Sequence, residues 1–310
     1  MKFDLDKDKI KGNLNKVGES VKNTAITVGS KTKEVVTTTK NKAYKTMDVN
    51  GDGNVDIEDI IILGLKTNGI RINRKEFLKK ELSKNYTEDI INKAIEETPA
   101  KAGIDSKEID KIVDSVIQFE RNCVSGISAA LGMPGGVSMV ATIPADIIQY
   151  YGYMLRAMQK LMYLYGFPQI NVDEKDSGFD SETINTITVC LGVMYGVAGA
   201  NNAIKAMAKA LGNGVEKQLM NKALTKGTIY PIVKSVSKWF GVKMTKEVFS
   251  GFFKKAIPVA GGIIGGGITY ISFKPCCDKL KLSLQDTLLS NPNHISSKEE
   301  NEIFEDIEGK

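Results

Sequence analysis

Apolar residues in this chain recur at intervals of three, four or seven, and no stretch alternates in the manner of a strand. That period belongs to helices with one buried stripe, so the pattern predicts an all-α protein. Phe3, Ile10, Leu14, Val17, Val21, Ala25 and Val28 draw one narrow stripe through a segment otherwise rich in lysine, threonine and serine. Residues 1–40 therefore read as an amphipathic basic helical arm, suited to a partner helix, to an anionic bilayer, or to loose packing on the body. Beyond residue 56, "IEDIIILGLK", "INRKEFLKKELSK" and "TEDIINKAIEE" each carry the helical period, with Thr87 as N-cap of the third and two acids in its first turn. "DSKEIDKIVDSVIQFE" opens with Asp105 and Glu108 at capping-box spacing. Up to about Glu120 the chain predicts short, charged helices.

The pattern changes at Arg121. Asn122 to Ala145, Thr183 to Ile204 and Ala256 to Phe273 contain no charged residue. Each approaches the roughly 20 residues that cross a bilayer. Gly, Ser, Thr, Asn and Pro dilute all three, and Leu, Ile and Phe are too sparse to favour insertion strongly. In the third run, Gly261 with Gly265 and Gly262 with Gly266 are small-xxx-small pairs that let helices approach closely, in lipid or in a tight soluble bundle. Three readings stay open: core helices of a bundle that docks on membrane, reversible insertion, and permanent spanning.

Composition narrows the class. With 310 residues and 42% hydrophobic positions the chain can fill a core, and a net charge of +5 is too small to argue for nucleic acid. Cys123, Cys190, Cys276 and Cys277 show no CxxC spacing and suggest neither zinc nor a disulfide framework. The opening "MKFDLDKDKIKGNLNK" lacks an apolar h-region, so no cleavable signal peptide is expected and the compartment reads as the cytoplasm or its membrane face.

One stretch carries well-defined chemistry. In "DVNGDGNVDIED", Asp48, Asn50 and Asp52 occupy loop positions 1, 3 and 5 of an EF-hand, and Gly53 makes the turn at position 6. Asn54 offers its carbonyl at position 7, Val55 is the apolar anchor, and Asp56 and Asp59 stand at positions 9 and 12. Oxygen donors in this order suit calcium. Asp59 in place of the usual glutamate reaches less far, which weakens calcium and lets magnesium compete. The loop resembles half of a dockerin, and no second copy follows. Residues 41–68 thus form a calcium loop with its exiting helix.

"ATIPADIIQYYGYMLRAMQKLMYLYGFP", 141–168, and "KKAIPVAGGIIGGGITYISFKPCCDKLKLSLQ", 254–285, resemble the EcsC family of bacterial proteins. The likeness covers residues 70–288 and rests on a Pro-Ala-Asp step, a long helix ending in Tyr-Gly, and an "IPVxGxxxGG" segment. It implies a helical, membrane-associated body without a defined reaction. The arm and the metal loop fall outside it.

Within that body, a helix begun near Pro144 would align Asp146, Gln149, Tyr153, Arg156 and Lys160 on one face. Such a polar stripe could hold a lipid headgroup or phosphate, or be a solvated face or a row of interhelical salt bridges. No Walker loop, GxSxG or HExxH is present, and "SVSK" at 235–238 lacks the companion motifs of an SxxK enzyme. His294, the one histidine, sits in a polar tail, 289–310, whose acidic end reads as frayed and solvated. The expectation is a non-enzymatic, peripheral membrane protein regulated by calcium, with anionic lipid or a membrane protein as partner. The alternatives are a membrane-inserting or pore-forming protein and a lipid-active enzyme.

Overall fold

The computed structural model describes residues 48–49, 51–131, 137–170, 181–242 and 261–309. The stripe Phe3–Val28 and the loop residue Asn50 lie outside them. The described residues form helices and no strand. In chain order these are α1 (Ile57–Lys66), α2 (Arg74–Leu82), α3 (Glu88–Glu96), α4 (Ser106–Leu131), α5 (Val137–Leu164) and α6 (Ser181–Tyr195). Then follow α7 (Ala200–Gly212), α8 (Lys217–Thr225), α9 (Ile229–Val242), α10 (Gly261–Gln285) and α11 (Lys298–Glu308).

Local chemistry sets most of the starts. Asp56 caps α1 by accepting the Glu58 N–H at 2.8 Å, and Asn73 caps α2 by accepting the Glu76 N–H at 3.0 Å. Thr87 occupies the N-cap of α3 without a side-chain hydrogen bond, so Glu88 and Asp89 in the first turn carry the favourable charge. At α4 half of the expected box forms: Asp105 accepts the Lys107 N–H, whereas Glu108 pairs forward with Lys111 at 2.6 Å.

The first two uncharged runs are each shared between two helices. The first ends α4 and restarts at Val137, so α5 begins ahead of Pro144 rather than at it. The second is divided by Gly196 and Gly199, whose φ values of +72° and +83° belong to the left-handed region and stop α6 before α7 begins. The described part of the third run, from Gly261, lies in α10, and all four glycines of its small-residue pairs lie in the first turns of that helix. Among the described residues no helix is long and apolar enough to cross a membrane.

The core gathers around α5 and α6. Met154, Leu155, Met158, Leu161 and Met162 of α5 are buried, and α6 is buried on nearly every face from Ile187 to Met194. A helix apolar all round belongs inside. The longest packing seam joins α10 to α4, and it is antiparallel, since Lys281 meets Asp114 at 2.6 Å while Arg121 lies 3.8 Å from the Tyr270 ring. Glycine permits two close crossings: a Cβ at Gly64 would sit 2.7 Å from Leu155 Cδ1 of α5, and one at Gly192 would sit 2.5 Å from Val236 of α9. Where α5, α6 and α9 converge, Tyr151, Tyr195, Trp239 and Phe240 interlock, with Trp239 4.9 Å from Phe240 and 5.2 Å from Tyr195.

The C-terminal segment departs from expectation. Lys298–Glu308 is a helix capped by Ser297, and Ile303, Phe304 and Ile307 are buried where α11 packs on α7 and α8. Glu299, Glu302 and Glu305 face outward while Glu300 and the apolar residues turn in, so negative charge alone did not make it a solvated tail.

Candidate functional site

The described residues of the loop 48–59 fold tightly around their own carboxylates. Asp48 accepts the Gly51 N–H at 2.8 Å and the Gly53 N–H at 3.0 Å, and Asp52 accepts the Asn54 N–H at 2.7 Å. Gly51 and Gly53 take φ of +76° and +85°, and a Cβ at either would meet open space, so conformation rather than room demands glycine there. Asp59 is the buried member. Its Oδ1 accepts the Val49 N–H at 2.8 Å and its Oδ2 the Asp56 N–H at 3.0 Å, so it closes a capping box and ties the loop's first turn to α1.

Electrostatics and geometry pull apart here. Burial raises the Asp56 carboxyl above the usual range against opposing amide hydrogen bonds, and the charges on Asp59 and Asp52 add to the rise. Glu58 is raised in the same way, by burial first and then by Asp56, Asp59 and Asp52. A hard cation would relieve that repulsion, and the donor set is all oxygen. Yet among the described residues no three acidic, histidine or cysteine side chains converge as a metal site. The donors fit calcium or magnesium in type; the Asp59 carboxylate is turned to backbone amides.

The polar stripe of α5 turns inward. Lys160 Nζ donates to Glu120 Oε1 of α4 at 2.5 Å and Arg156 Nε donates to the same oxygen at 3.0 Å. Glu120 is fully buried and its Oε2 has no hydrogen-bond partner. Arg156 also holds the Gly69 carbonyl at 2.9 Å and stacks 5.7 Å from the Tyr153 ring. Gln149 is partly buried, and its amide nitrogen has no hydrogen-bond partner. Asp146 lies within α5, but its side chain is outside the described part. The stripe therefore includes an interhelical ion cluster rather than a solvated face.

Sequence reasoning missed four contributors. Glu120, which completes the cluster, stands where the charged part of the chain ends, and nothing in its spacing points to α5. Gln159 is buried beside the stripe and reads the α1–α2 connection, accepting from Ile72 N–H at 3.1 Å and donating to the Ile70 carbonyl at 3.0 Å. Arg74 is buried without a carboxylate; it donates to the carbonyls of Phe167 at 3.0 Å and Ile95 at 2.5 Å, and burial lowers its pKa. His294 is buried between carboxylates instead of solvated. For His294 a signal existed, since Ile303, Phe304 and Ile307 are spaced as one helical face.

Other features offer little chemistry. Ser235 of "SVSK" gives its hydroxyl to the Pro231 carbonyl at 2.9 Å, and both it and Lys238 are exposed. A cleft of about 400 Å³ beside Ile104, Ser106 and Asn291 holds the pair Tyr165 and Asp110, whose hydroxyl-to-carboxylate hydrogen bond is 2.7 Å. Burial, and then Asp110, drive that phenol far above its ordinary pKa, so it is a poor proton donor to anything else. No family model matches this chain, and neither a curated protein nor a solved structure matches it.

Proposed function

We propose that this chain is a non-enzymatic, membrane-associated protein of the EcsC type, regulated by a divalent cation at the loop Asp48–Asp59. One observation carries the regulatory reading: Asp59 joins the loop to α1, and α1 packs against α5 at the centre of the body. A bound cation would supply positive charge at Asp48, Asp52, Asp56 and Asp59, with Asn50 and the Asn54 carbonyl as further donors. Drawing on Asp59 would compete with its grip on the Val49 and Asp56 amides, so occupancy and the setting of α1 are linked. Linkage requires that the two settings bind the cation with different affinity. Residues 1–40, ahead of the loop, are the segment whose lysines suit an anionic surface.

Flotation of the full chain with anionic liposomes tests this reading, in calcium, in magnesium and in chelator, beside an Asp48→Ala, Asp52→Ala variant. Metal-dependent flotation that the variant loses supports a membrane switch. Equal flotation throughout makes the loop a structural staple, and no flotation at all removes the membrane reading. Dye leakage from the same vesicles would instead favour a pore-forming protein. A change in lipid composition abolished by Asp146→Asn would favour a lipid-active enzyme.

A further inference from the structure

The one histidine of the chain is clamped at both ring nitrogens. His294 Nδ1 lies 2.8 Å from Asp286 Oδ1, and Nε2 lies 2.9 Å from each oxygen of Glu300. The imidazole is 2% exposed and Glu300 1% exposed, whereas the Asp286 side chain is about half exposed. Asp286 directly follows α10, and Glu300 lies in the first turn of α11, so the ring bridges the two helices. A stiff turn presents it: Ser290 Oγ donates to the Leu284 carbonyl at 2.5 Å, Thr287 is buried beside it, and the His294 N–H reaches the Asn291 carbonyl at 3.0 Å.

A neutral imidazole has one donor and one acceptor, while two carboxylates offer acceptors only. The closed arrangement therefore needs one extra proton, so that both ring nitrogens donate or one carboxyl does. Without it, one ring nitrogen faces a carboxylate oxygen with no donor between them, Glu300 or Asp286 according to the tautomer, and that contact turns repulsive. We propose that Asp286, His294 and Glu300 form a proton-dependent latch that holds α11 on α7 and α8 and releases it when that proton leaves.

The surrounding charges set the direction. Lys205 of α7 donates to Asp286 Oδ2 at 2.5 Å, and Ser296 donates to Glu300 Oε1 at 3.0 Å. Lys209 of α7 reaches Asn301 at 2.6 Å and lies 4.5 Å from the Phe304 ring, and Asp306 accepts the Thr228 N–H at 2.8 Å. Lys205, and next His294, hold the Asp286 carboxyl below its ordinary range, which keeps that side of the clamp charged. Lys205 and Ser296 reach the carboxylates and not the ring, so neither replaces the missing proton, and the latch is closed at lower pH and opens as pH rises.

Amide hydrogen exchange of the full chain at about pH 6 and about pH 9, corrected for intrinsic rates, tests the latch. Protection of residues 298–308 falls about tenfold to a hundredfold at the higher pH, while protection of α6 in the same sample holds. Glu300→Gln keeps α11 docked, because its amide can donate to a neutral ring, and abolishes the pH step. Unchanged protection of α11 between the two pH values overturns the latch. So does a parallel loss in α6, which would mean global unfolding, or a pH step that survives in Glu300→Gln.

Discussion

Glu120 of α4 and Lys160 of α5 meet at 2.5 Å, and Arg156 shares the same carboxylate oxygen at 3.0 Å. Two cations on one fully buried acid make removal of the acid costlier than removal of either base, because both bases then lose their partner. Glu120→Ala lowers unfolding free energy by about 3 kcal/mol or more. Arg156→Ala costs less, since Lys160 still pairs the acid. Urea titration checks this, and equal effects of the two substitutions would show that the cluster does not act as a unit.

Arg74 holds four carbonyls with a planar fork, Phe167, Ile95, Ala94 and Glu97. Lysine keeps the charge but cannot span them. Arg74→Lys therefore destabilises by about 2 kcal/mol, read as a fall in urea midpoint at constant slope.

At Gly192 a methyl would enter the space of Val236 and Ala200. Overpacking of that kind costs about 1–3 kcal/mol. Gly192→Ala with an unchanged melting temperature would mean that α6 and α9 separate without penalty.

If the loop takes calcium as proposed, the fold gains stability in proportion to the logarithm of the calcium concentration. The expected result is a wild-type melting temperature that rises with millimolar calcium and an Asp48→Ala, Asp52→Ala variant without the rise; no rise in the wild type counts against the calcium reading. Asp59→Ala behaves differently: it also loses the grip on the Val49 and Asp56 amides, so it melts lower by about 1 kcal/mol even in chelator.

Asp306 is held below the ordinary carboxylate range, first by its hydrogen bond from the Thr228 amide, and Asp286 is held low by Lys205 and then His294. Depressed carboxylates contribute stability above their unfolded pKa of about 3.9 and lose it as pH falls through the folded value. Proteolysis at 291–297 should therefore accelerate on acidification below about pH 4, before α6 loses protection.

Element type was legible where caps and period agreed. Thr87 marked the start of α3, and the loop spacing marked the turn at Gly53. Runs without charge left the element boundaries open, because absence of charge does not distinguish one long helix from two separated by a glycine turn, as at Gly196 and Gly199. The stripe Arg156–Lys160 was visible as a polar face, but its burial depends on Glu120, 36 and 40 positions away, and single-helix periodicity contains no such term. His294 was misread because the nearby acids looked like solubilising charge, when Glu300 is an acceptor turned inward.

The only tryptophan, Trp239, is seated between Tyr195 and Phe240 where α5, α6 and α9 converge, whereas α11 packs on α7 and α8. Intrinsic emission is thus a gauge of the central junction and is blind to events at the carboxyl end. A titration followed only by that signal would record a single, uneventful plateau across pH values at which the last helix has already come away.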